Sequence, residues 1–431
     1  MEPTDALASL PAPGHHREGR LVSMSQALDA IAEGTNVYVA PICGVPTALV
    51  SAMADAPDRW RRLTIVTDYL IDPLPLFEHA GVPFGVVSLQ PTPALEAVRK
   101  AGALRTISCS YGQYLTHLTA GGRAAVDVAL VQVSPPGPDG RHSLGVGGGV
   151  TAELVRRAPF VIAEVNPRMP FTYGATEIGR HEIDLLVEVE HPLVELAVPA
   201  GDDVSNAIGT NAAAQVPDGA TLEFGIGAIP EAVLMALRTR TDLGLHGGMI
   251  SDAVVELTAS GALTGARKSL DPGFHVGAGV VGTEHVFRWV DRNPDVFVCG
   301  SAYSHGIPVL ARQAGFCAIN SAIEISADGE VNAEVAGERV VSGPGGQPDF
   351  AVGANLAPGG ISLITLRSTA AGGRISRIVD RLPVTSPTTV PRHLLDRVVT
   401  EYGVAELKGR SPEERREALR AIAHPDHRDN L

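Results

Sequence analysis

Ala220-Thr221-Leu222-Glu223-Phe224-Gly225-Ile226-Gly227-Ala228-Ile229-Pro230 begins as a short run of strand character and passes through two glycines. It ends on a proline, a residue suited to the first turn of a helix, and 231–238 then has helical spacing. Working outward, the same succession recurs on both sides. Val37-Tyr38-Val39-Ala40 precedes a helical pattern at 47–54, and Leu63-Thr64-Ile65-Val66 follows it. Further strand runs lie at 126–133, 160–165 and 185–189, then at 296–299, 316–325 and 361–366, while 25–33 has helical spacing. Strands separated by helical stretches predict parallel α/β layers. Near-continuous apolar runs such as Val128-Ala129-Leu130-Val131 fit a sheet covered on both faces.

The alternation pauses at Ala200-Gly201-Asp202-Asp203 and then restarts. The expected organisation is therefore a mobile N-terminus at 1–20 and two α/β domains, at 21–200 and 201–431. A chain of 431 residues fits two large domains at about 150 or more residues each. Its 34 Lys+Arg against 48 Asp+Glu give a net charge of −14, which argues against a general nucleic-acid or anionic-membrane binder. Cys43, Cys109, Cys299 and Cys317 lie far apart, without the spacing of a zinc site or disulfide frame. The first residues lack a basic start followed by an apolar stretch, and no apolar run is long enough for a membrane span. The expected location is the cytoplasm. Near the end, Pro412-Glu-Glu-Arg-Arg-Glu-Ala-Leu-Arg-Ala reads as an amphipathic helix with acids first and bases later, as the helix dipole favours.

Four segments can carry chemistry. Gly225 to Glu231, between a strand and a helix, lets backbone approach a ligand and presents N–H groups to a phosphate or an acyl oxyanion. The alternative is a tight turn. Ser342-Gly-Pro-Gly-Gly-Gln-Pro-Asp-Phe350 makes a flat glycine loop whose Gln347 and Asp349 can hydrogen-bond a ligand, or again only a turn. It matches neither a Walker loop nor the Rossmann glycine spacing. Glu164-Val-Asn-Pro-Arg-Met-Pro-Phe-Thr-Tyr-Gly174 places Glu164, Asn166 and Arg168 after a strand, where open α/β sheets bind ligands, or it is equally a structural loop. Asp242-Leu-Gly-Leu-His-Gly-Gly-Met-Ile-Ser-Asp252 offers His246 as a base and Asp252 as its orienting group, or a packed histidine.

Taken together these segments resemble the acetyl-CoA hydrolase/transferase family, the CoA-transferases that include 4-hydroxybutyrate CoA-transferases. The resemblance runs from about Val22 to Leu431. Its marks are Val131-Gln-Val-Ser-Pro-Pro136, Glu164-Val-Asn-Pro with Met169-Pro170, Gly225-Ile-Gly-Ala-Ile-Pro230 and Ile319-Asn-Ser-Ala-Ile-Glu324. Gly345-Gly-Gln347 with Asp349-Phe350, Val399-Thr-Glu-Tyr-Gly-Val-Ala-Glu-Leu407 and Ile422-Ala-His-Pro-Asp-His-Arg428 complete them. The resemblance implies two α/β domains with the active site between them, and a homo-oligomer. It implies that Gly343, Gly345, Gly346, Gln347, Asp349 and Phe350 bind CoA. Gly225, Gly227, Ala228 and Ile229 would face the reacting acyl group as an oxyanion loop. Asn166, Met169 and Tyr173 would line the substrate cleft, with Val45, Tyr111 and Phe171 shaping the acyl pocket.

In such transferases a glutamate attacks the thioester and becomes a glutamyl-CoA thioester. The family pattern reads His-Thr-Glu-Met followed by Ser-Asp. This chain has His246-Gly247-Gly248-Met249 and then Ser251-Asp252, so Gly248 stands where the nucleophile is expected. A glycine has no side chain to acylate. A second departure is Glu223, where the family commonly carries Gln; it is a candidate base or substitute nucleophile, or a partly exposed acid paired with an arginine. The expected enzyme uses acyl-CoA and passes the acyl group directly to water, an amine, an alcohol or a carboxylate, which requires positioning, a base and an oxyanion site. Two alternatives stand beside it: CoA transfer to a carboxylic acid through another carboxylate, and an inactive CoA-binding scaffold. No metal, flavin or nicotinamide motif is present, so CoA enters as substrate or product, with a second small molecule as acceptor.

Overall fold

The computed structural model describes residues 17–78 and 84–431, and the chain forms two compact units. One comprises Met1–Leu196 with Gly277–Tyr303, the other Ala197–Val276 with Ser304–Leu431. The boundary expected at 200 lies close to the first crossing, but Gly277–Tyr303 joins the first unit. The reason is pairing: strand Val296–Val298 runs parallel to Tyr173–Gly174, and the Gly149 N–H donates to the Cys299 carbonyl at 2.9 Å.

In the first unit, β1 (Arg20–Leu21), β2 (Asn36–Val39), β3 (Thr64–Thr67) and β4 (Gly85–Ser88) join β5 (Leu104–Thr106), β6 (Val128–Val133), β7 (Phe160–Val165) and β8 (Leu185–Glu188) in one sheet. The order is β1-β8-β7-β6-β2-β3-β4-β5, with every pairing parallel. Alternate residues of one strand feed two cores. Val128 and Leu130 pack with Val37 and Ile162, whereas Ala129 and Val131 pack with Tyr38 and Val161. That two-sided burial is what the unbroken apolar runs encode.

Of the N-terminus expected to be mobile, 1–16 lies outside the described residues. Residues 17–20 are held in place. The buried Arg17 guanidinium donates to the carbonyls of Val155 (3.1 Å), Glu182 (2.6 Å) and Ala158, and pairs with Asp184 at 3.3 Å. A buried guanidinium needs such partners, and this one ties the start of the chain to the sheet.

The second unit contains β9 (Thr221–Phe224), β10 (Gly244–Ile250), β11 (Phe316–Ser321), β12 (Ile361–Thr365), β13 (Arg397–Thr400) and β14 (Gly403–Glu406). Within it they run in the order β14-β13-β12-β11-β9-β10, parallel except for the β13–β14 hairpin. Its helices include α1 (Ala228–Ala236), α2 (Asp252–Ala259), α3 (Gln347–Leu356) and α4 (Pro412–Ile422). Helix α1 begins three residues earlier than its sequence spacing predicts, because Gly227, at φ 132°, turns the chain directly into it. The strand expected at 316–325 breaks at Ser321. The next N–H, of Ala322, still bonds β12 at Thr365, but that of Ile323 bonds Asn332, which starts a separate small sheet. Helix α4 carries the expected acid-to-base gradient and is closed at its start by a Ser411–Glu414 capping box. No described helix is long and apolar enough to cross a membrane.

Candidate active site

The chemistry-bearing side chains of the second unit gather around the carboxyl ends of β9 and β10. Glu223, on β9, is 2% exposed. Register pairs it with Ala318 of β11, so Asn320, two residues on, shares its face, and the Asn320 amide donates to the Glu223 carboxyl at 2.7 Å. Burial pushes this carboxyl up to about 8, against the pull of that amide, so it is mostly a neutral acid at pH 7. Gly247 makes the arrangement possible. A Cβ there would lie 3.2 Å from Glu223 Cγ and 3.3 Å from its Cα.

Gly248 is different. A Cβ at this position would meet nothing nearer than His305 Nε2 at 3.8 Å and Phe350 Cε2 at 3.9 Å. These are ordinary contacts, and the backbone is not in the left-handed region, so a side chain is sterically admissible here and its absence leaves room beside His305. Gly346 is the reverse: a Cβ would stand 2.4 Å from His305 Nε2, so only glycine admits the imidazole.

His305 was not among the residues singled out from sequence. It is 5% exposed and packs at a tilt of 41° against Phe350, with ring centroids 4.4 Å apart. Its Nδ1 hydrogen-bonds the Ser304 hydroxyl at 2.8 Å. Burial, then the nearby His246, push its pKa down to about 3, so the ring is neutral. Ser304-His305-Gly306 carries no motif, and only the fold brings it beside Gly248.

His246, a predicted base, is fully buried. Gln313 accepts the Leu270 N–H on its Oε1 at 3.2 Å, which turns its Nε2 toward His246 Nδ1 at 3.3 Å. Nδ1 is therefore an acceptor, and a neutral ring carries its proton on Nε2. Asp252, the predicted orienting group, opens α2 beside Glu231. Burial, with the Asp252 charge second, raises Glu231 to about 7 against a Ser251 hydrogen bond. That acid pair was also missed, because Glu231 reads as an ordinary first-turn helix residue.

The glycine turn is half-buried from Gly225 to Ile229. The Gly225 N–H donates to the Ile319 carbonyl at 3.2 Å and so belongs to the sheet, which removes it from the predicted oxyanion donors. Ala228 and Ile229 open the helix, where an N–H has no carbonyl one turn earlier, and Gly227 supplies the bend. In the predicted CoA loop, Gly343 and Gly345 are loop residues, Gly345 with φ 56°, and Gly346 caps α3. Gln347, Asp349 and Phe350 are not part of a flat loop. They form the buried first turn of α3, where the Gln347 amide donates to the Ser321 carbonyl at 3.4 Å and Phe350 packs against Phe316.

The predicted cleft residues belong to the first unit. Asn166 is fully buried, and its amide donates to Gln132 (2.6 Å) and to the His191 carbonyl (2.9 Å) while its oxygen accepts from Arg168 N–H (3.0 Å). It braces the loop after β7. Glu164 does the same, accepting from Leu49 N–H at 2.5 Å and pairing with His191 Nε2 at 2.9 Å. Met169 and Phe171 line a pocket of about 490 Å³ with Arg168, Phe287 and Arg292. Tyr173 stands edge-on to Phe171 at 5.7 Å. Val45 is buried and its carbonyl accepts from Gln132. The Tyr111 hydroxyl accepts from Val150 N–H at 3.2 Å and lies against Gly149. Among the described residues no group of three or more His, Cys, Asp or Glu is placed to hold a metal ion.

The two parallel α/β units are those of a family of acyl-CoA enzymes, as comparison with known proteins shows. Residues 84–195 match the acetyl-CoA hydrolase/transferase N-terminal domain, and 282–431 match the acetyl-CoA hydrolase/transferase C-terminal domain. The chain is 38% identical over 420 residues to the 4-hydroxybutyrate coenzyme A transferase of Clostridium kluyveri, covering 96% of both. It superposes on RipA from Yersinia pestis with a TM-score of 0.89 at 30% identity, covering 95% of both chains. A 4-hydroxybutyrate CoA-transferase from Porphyromonas gingivalis matches with a TM-score of 0.79 at 32% identity, again over 95% of both. The chain belongs to the acetyl-CoA hydrolase/transferase family and is an enzyme of that transferase and hydrolase class.

Proposed function

We propose that this enzyme takes an acyl-CoA thioester and passes its acyl group directly to an acceptor, with no glutamyl-CoA intermediate on the protein. The acceptor is water, an amine, an alcohol or a carboxylate. The supporting observation is Gly248: no side chain projects there, and the space beside it is bordered by His305 and Phe350 rather than by an acid. The carboxyl beside Gly247, Glu223, is mostly protonated at neutral pH and is therefore a poor nucleophile. A neutral acid can instead donate a hydrogen bond to the thioester oxygen or to the departing thiolate. The amides of Gly227, Ala228 and Ile229 are candidates for the oxyanion. Gly343, Gly345 and the start of α3 are candidates for holding CoA.

The second reading, CoA transfer to a carboxylic acid, rests on Glu223 being a recessed carboxyl on the strand next to Gly247. The two separate cleanly. Acetyl-, butyryl-, succinyl- and 4-hydroxybutyryl-CoA are each incubated with the enzyme, with water, hydroxylamine or acetate as acceptor, and the protein is weighed intact. Direct transfer gives acyl-CoA consumption with no CoA-bearing protein. A mass increase of one CoA, removed by borohydride, overturns it in favour of the glutamyl route. Consumption of no acyl-CoA in the panel overturns both.

A further inference from the structure

We propose that Asn320 is the positioning residue of the acid Glu223: its amide holds Oε2, which fixes the rotation of the carboxyl and leaves the acid's hydrogen on Oε1 for the thioester oxygen or the departing thiolate. This rests on the direct-transfer reading, in which Glu223 donates a hydrogen bond, and assigns the residue that orients the donor.

The backbone of Asn320 is anchored. On β11 it pairs with Ile364 of β12, and its carbonyl accepts the Thr365 hydroxyl at 3.2 Å. Register sets Glu223 of β9 against Ala318, so the Asn320 side chain emerges two residues along on the same face and reaches Oε2 at 2.7 Å. The direction of this bond follows from the chemistry of the pair. An ionised carboxylate only accepts, so of the two ends of the amide Nδ2 alone serves Glu223 in both its states. The other end, Oδ1, lies 4.0 Å from where a Cβ on Gly225 would stand, toward the glycine turn. With Oε2 engaged as an acceptor, the neutral acid carries its hydrogen on Oε1. On the neighbouring strand Gly247 has no side chain to steer the carboxyl, since a Cβ there would crowd Glu223 Cγ at 3.2 Å. Among the described residues Asn320 is thus the one hydrogen-bonding group that orients the acid. A donor fixed before substrate arrives needs no reorganisation when charge develops.

The role assigned to Asn320 moves no atom: its amide keeps its hydrogens, and Glu223 offers its own in a hydrogen bond. It does leave an electrostatic mark. The amide favours the ionised carboxyl, against the burial that raises Glu223 to about 8. Among the described residues the other titratable side chain coupled to this carboxyl is Cys317 of β11, whose thiol burial pushes up to about 12 and so keeps neutral. The pH at which the acid loses its hydrogen therefore reports the contact with Asn320.

The test compares the full-length chain with Asn320→Ala, which leaves space, and Asn320→Leu, which fills it, using the same four acyl-CoA esters with water and hydroxylamine as acceptors. A misoriented donor should lower kcat about 10–100-fold in both variants. KM for the acyl-CoA should stay within about threefold, because the lost interaction is made in the transition state. Without the amide the carboxylate is less favoured, so the alkaline limb of kcat, where Glu223 ionises, should move up by about one pH unit. A packing role lowers kcat without moving that limb. In an E223Q background neither substitution should change kcat further. Thermal melts and CoA titration show whether each variant is folded. A folded variant with kcat within about threefold of wild type, an alkaline limb that stays in place, or the same fold-loss in the E223Q background overturns the role of Asn320 and leaves the direct-transfer reading intact. Undiminished kcat in E223Q, a borohydride-sensitive CoA adduct on the wild-type chain, or no turnover by it overturns the reading of Glu223 as donor, and Asn320 with it.

Discussion

Two buried glutamates on parallel strands have opposite surroundings. Glu164, in the first unit, is met on both oxygens, by Leu49 N–H and by His191. Glu223, in the second, receives one hydrogen bond among the described residues, from Asn320. The consequences diverge. The Glu164 hydrogen bond raises the His191 pKa, and the carboxyl braces the segments that carry Leu49 and His191. Burial leaves Glu223 protonated up to about pH 8. An acid with a partner on each oxygen serves structure, whereas an acid buried with little compensation retains reactivity at a cost in stability. Each glutamate can be tested against that division.

The largest expected effect is on the brace. Glu164→Ala strands the Leu49 N–H and removes the partner of His191. Breaking a buried pair in this way costs about 3 kcal/mol or more. For a unit of roughly 200 residues that corresponds to a Tm lower by about 6–12 °C. A melt within about 2 °C of wild type would place Glu164 outside the bracing role.

Glu223→Gln should act in the opposite direction on stability and strongly on turnover. Below pH 4.5 the acid is protonated both folded and unfolded, so its shift adds no pH-dependent penalty. Between 4.5 and about 8 the unfolded chain ionises while the folded chain does not, so wild-type stability falls as pH rises. Above about 8 the penalty is complete, on the order of a few kcal/mol. The amide escapes it, so the Tm advantage of E223Q should grow from pH 5 to pH 9. If Glu223 donates to the thioester or thiolate, kcat falls about 100-fold. Undiminished kcat would make Glu223 a buried acid without a role in the reaction.

The parallel α/β class was legible because strand runs are apolar on both faces, as Val128 to Val131 show in dividing between two cores. The absence at Gly248 was legible because a missing side chain is visible in sequence. The enclosure of His305 was not: it comes from Gly346, Phe350 and Ser304, two of them about forty residues away along the chain, and from no local pattern. Asn166 misled for the converse reason. A polar residue after a strand suits a ligand site, yet here the Gln132 amide oxygen and the His191 carbonyl consume its hydrogen bonds. Gln347 and Asp349 read as loop because glycines precede them, while Pro348 in fact sits in the first turn of a helix, where its missing N–H costs nothing.

Gly248→Glu asks whether the space beside His305 alone separates direct transfer from the covalent route. The backbone admits the side chain, and its Cβ would start 3.8 Å from His305 Nε2. The variant should form a borohydride-sensitive CoA adduct that the wild type lacks. Direct transfer to hydroxylamine should fall roughly tenfold as the carboxylate fills the acceptor's place. A variant with unchanged direct transfer and no adduct would mean that the reacting acyl group lies elsewhere.

Gly247→Ala is the smallest and most local perturbation. Its φ is not in the left-handed region, so alanine brings no backbone strain, and the whole effect comes from a methyl 3.2 Å from Glu223 Cγ and 3.3 Å from its Cα. One neighbour is side chain and can shift by a few tenths of an ångström; the other is backbone and cannot shift without moving β9. The expected cost is about 1 kcal/mol of stability, at the low end for overpacking. If Glu223 takes part in the reaction and the loop at 343–346 holds CoA, moving Glu223 should also lower kcat several-fold while leaving CoA affinity unchanged. Combined with E223Q the kinetic effect should vanish, because the methyl then displaces a group that no longer takes part. Full additivity in that double-mutant cycle would show that Gly247 acts on the strand itself and not through the acid it accommodates.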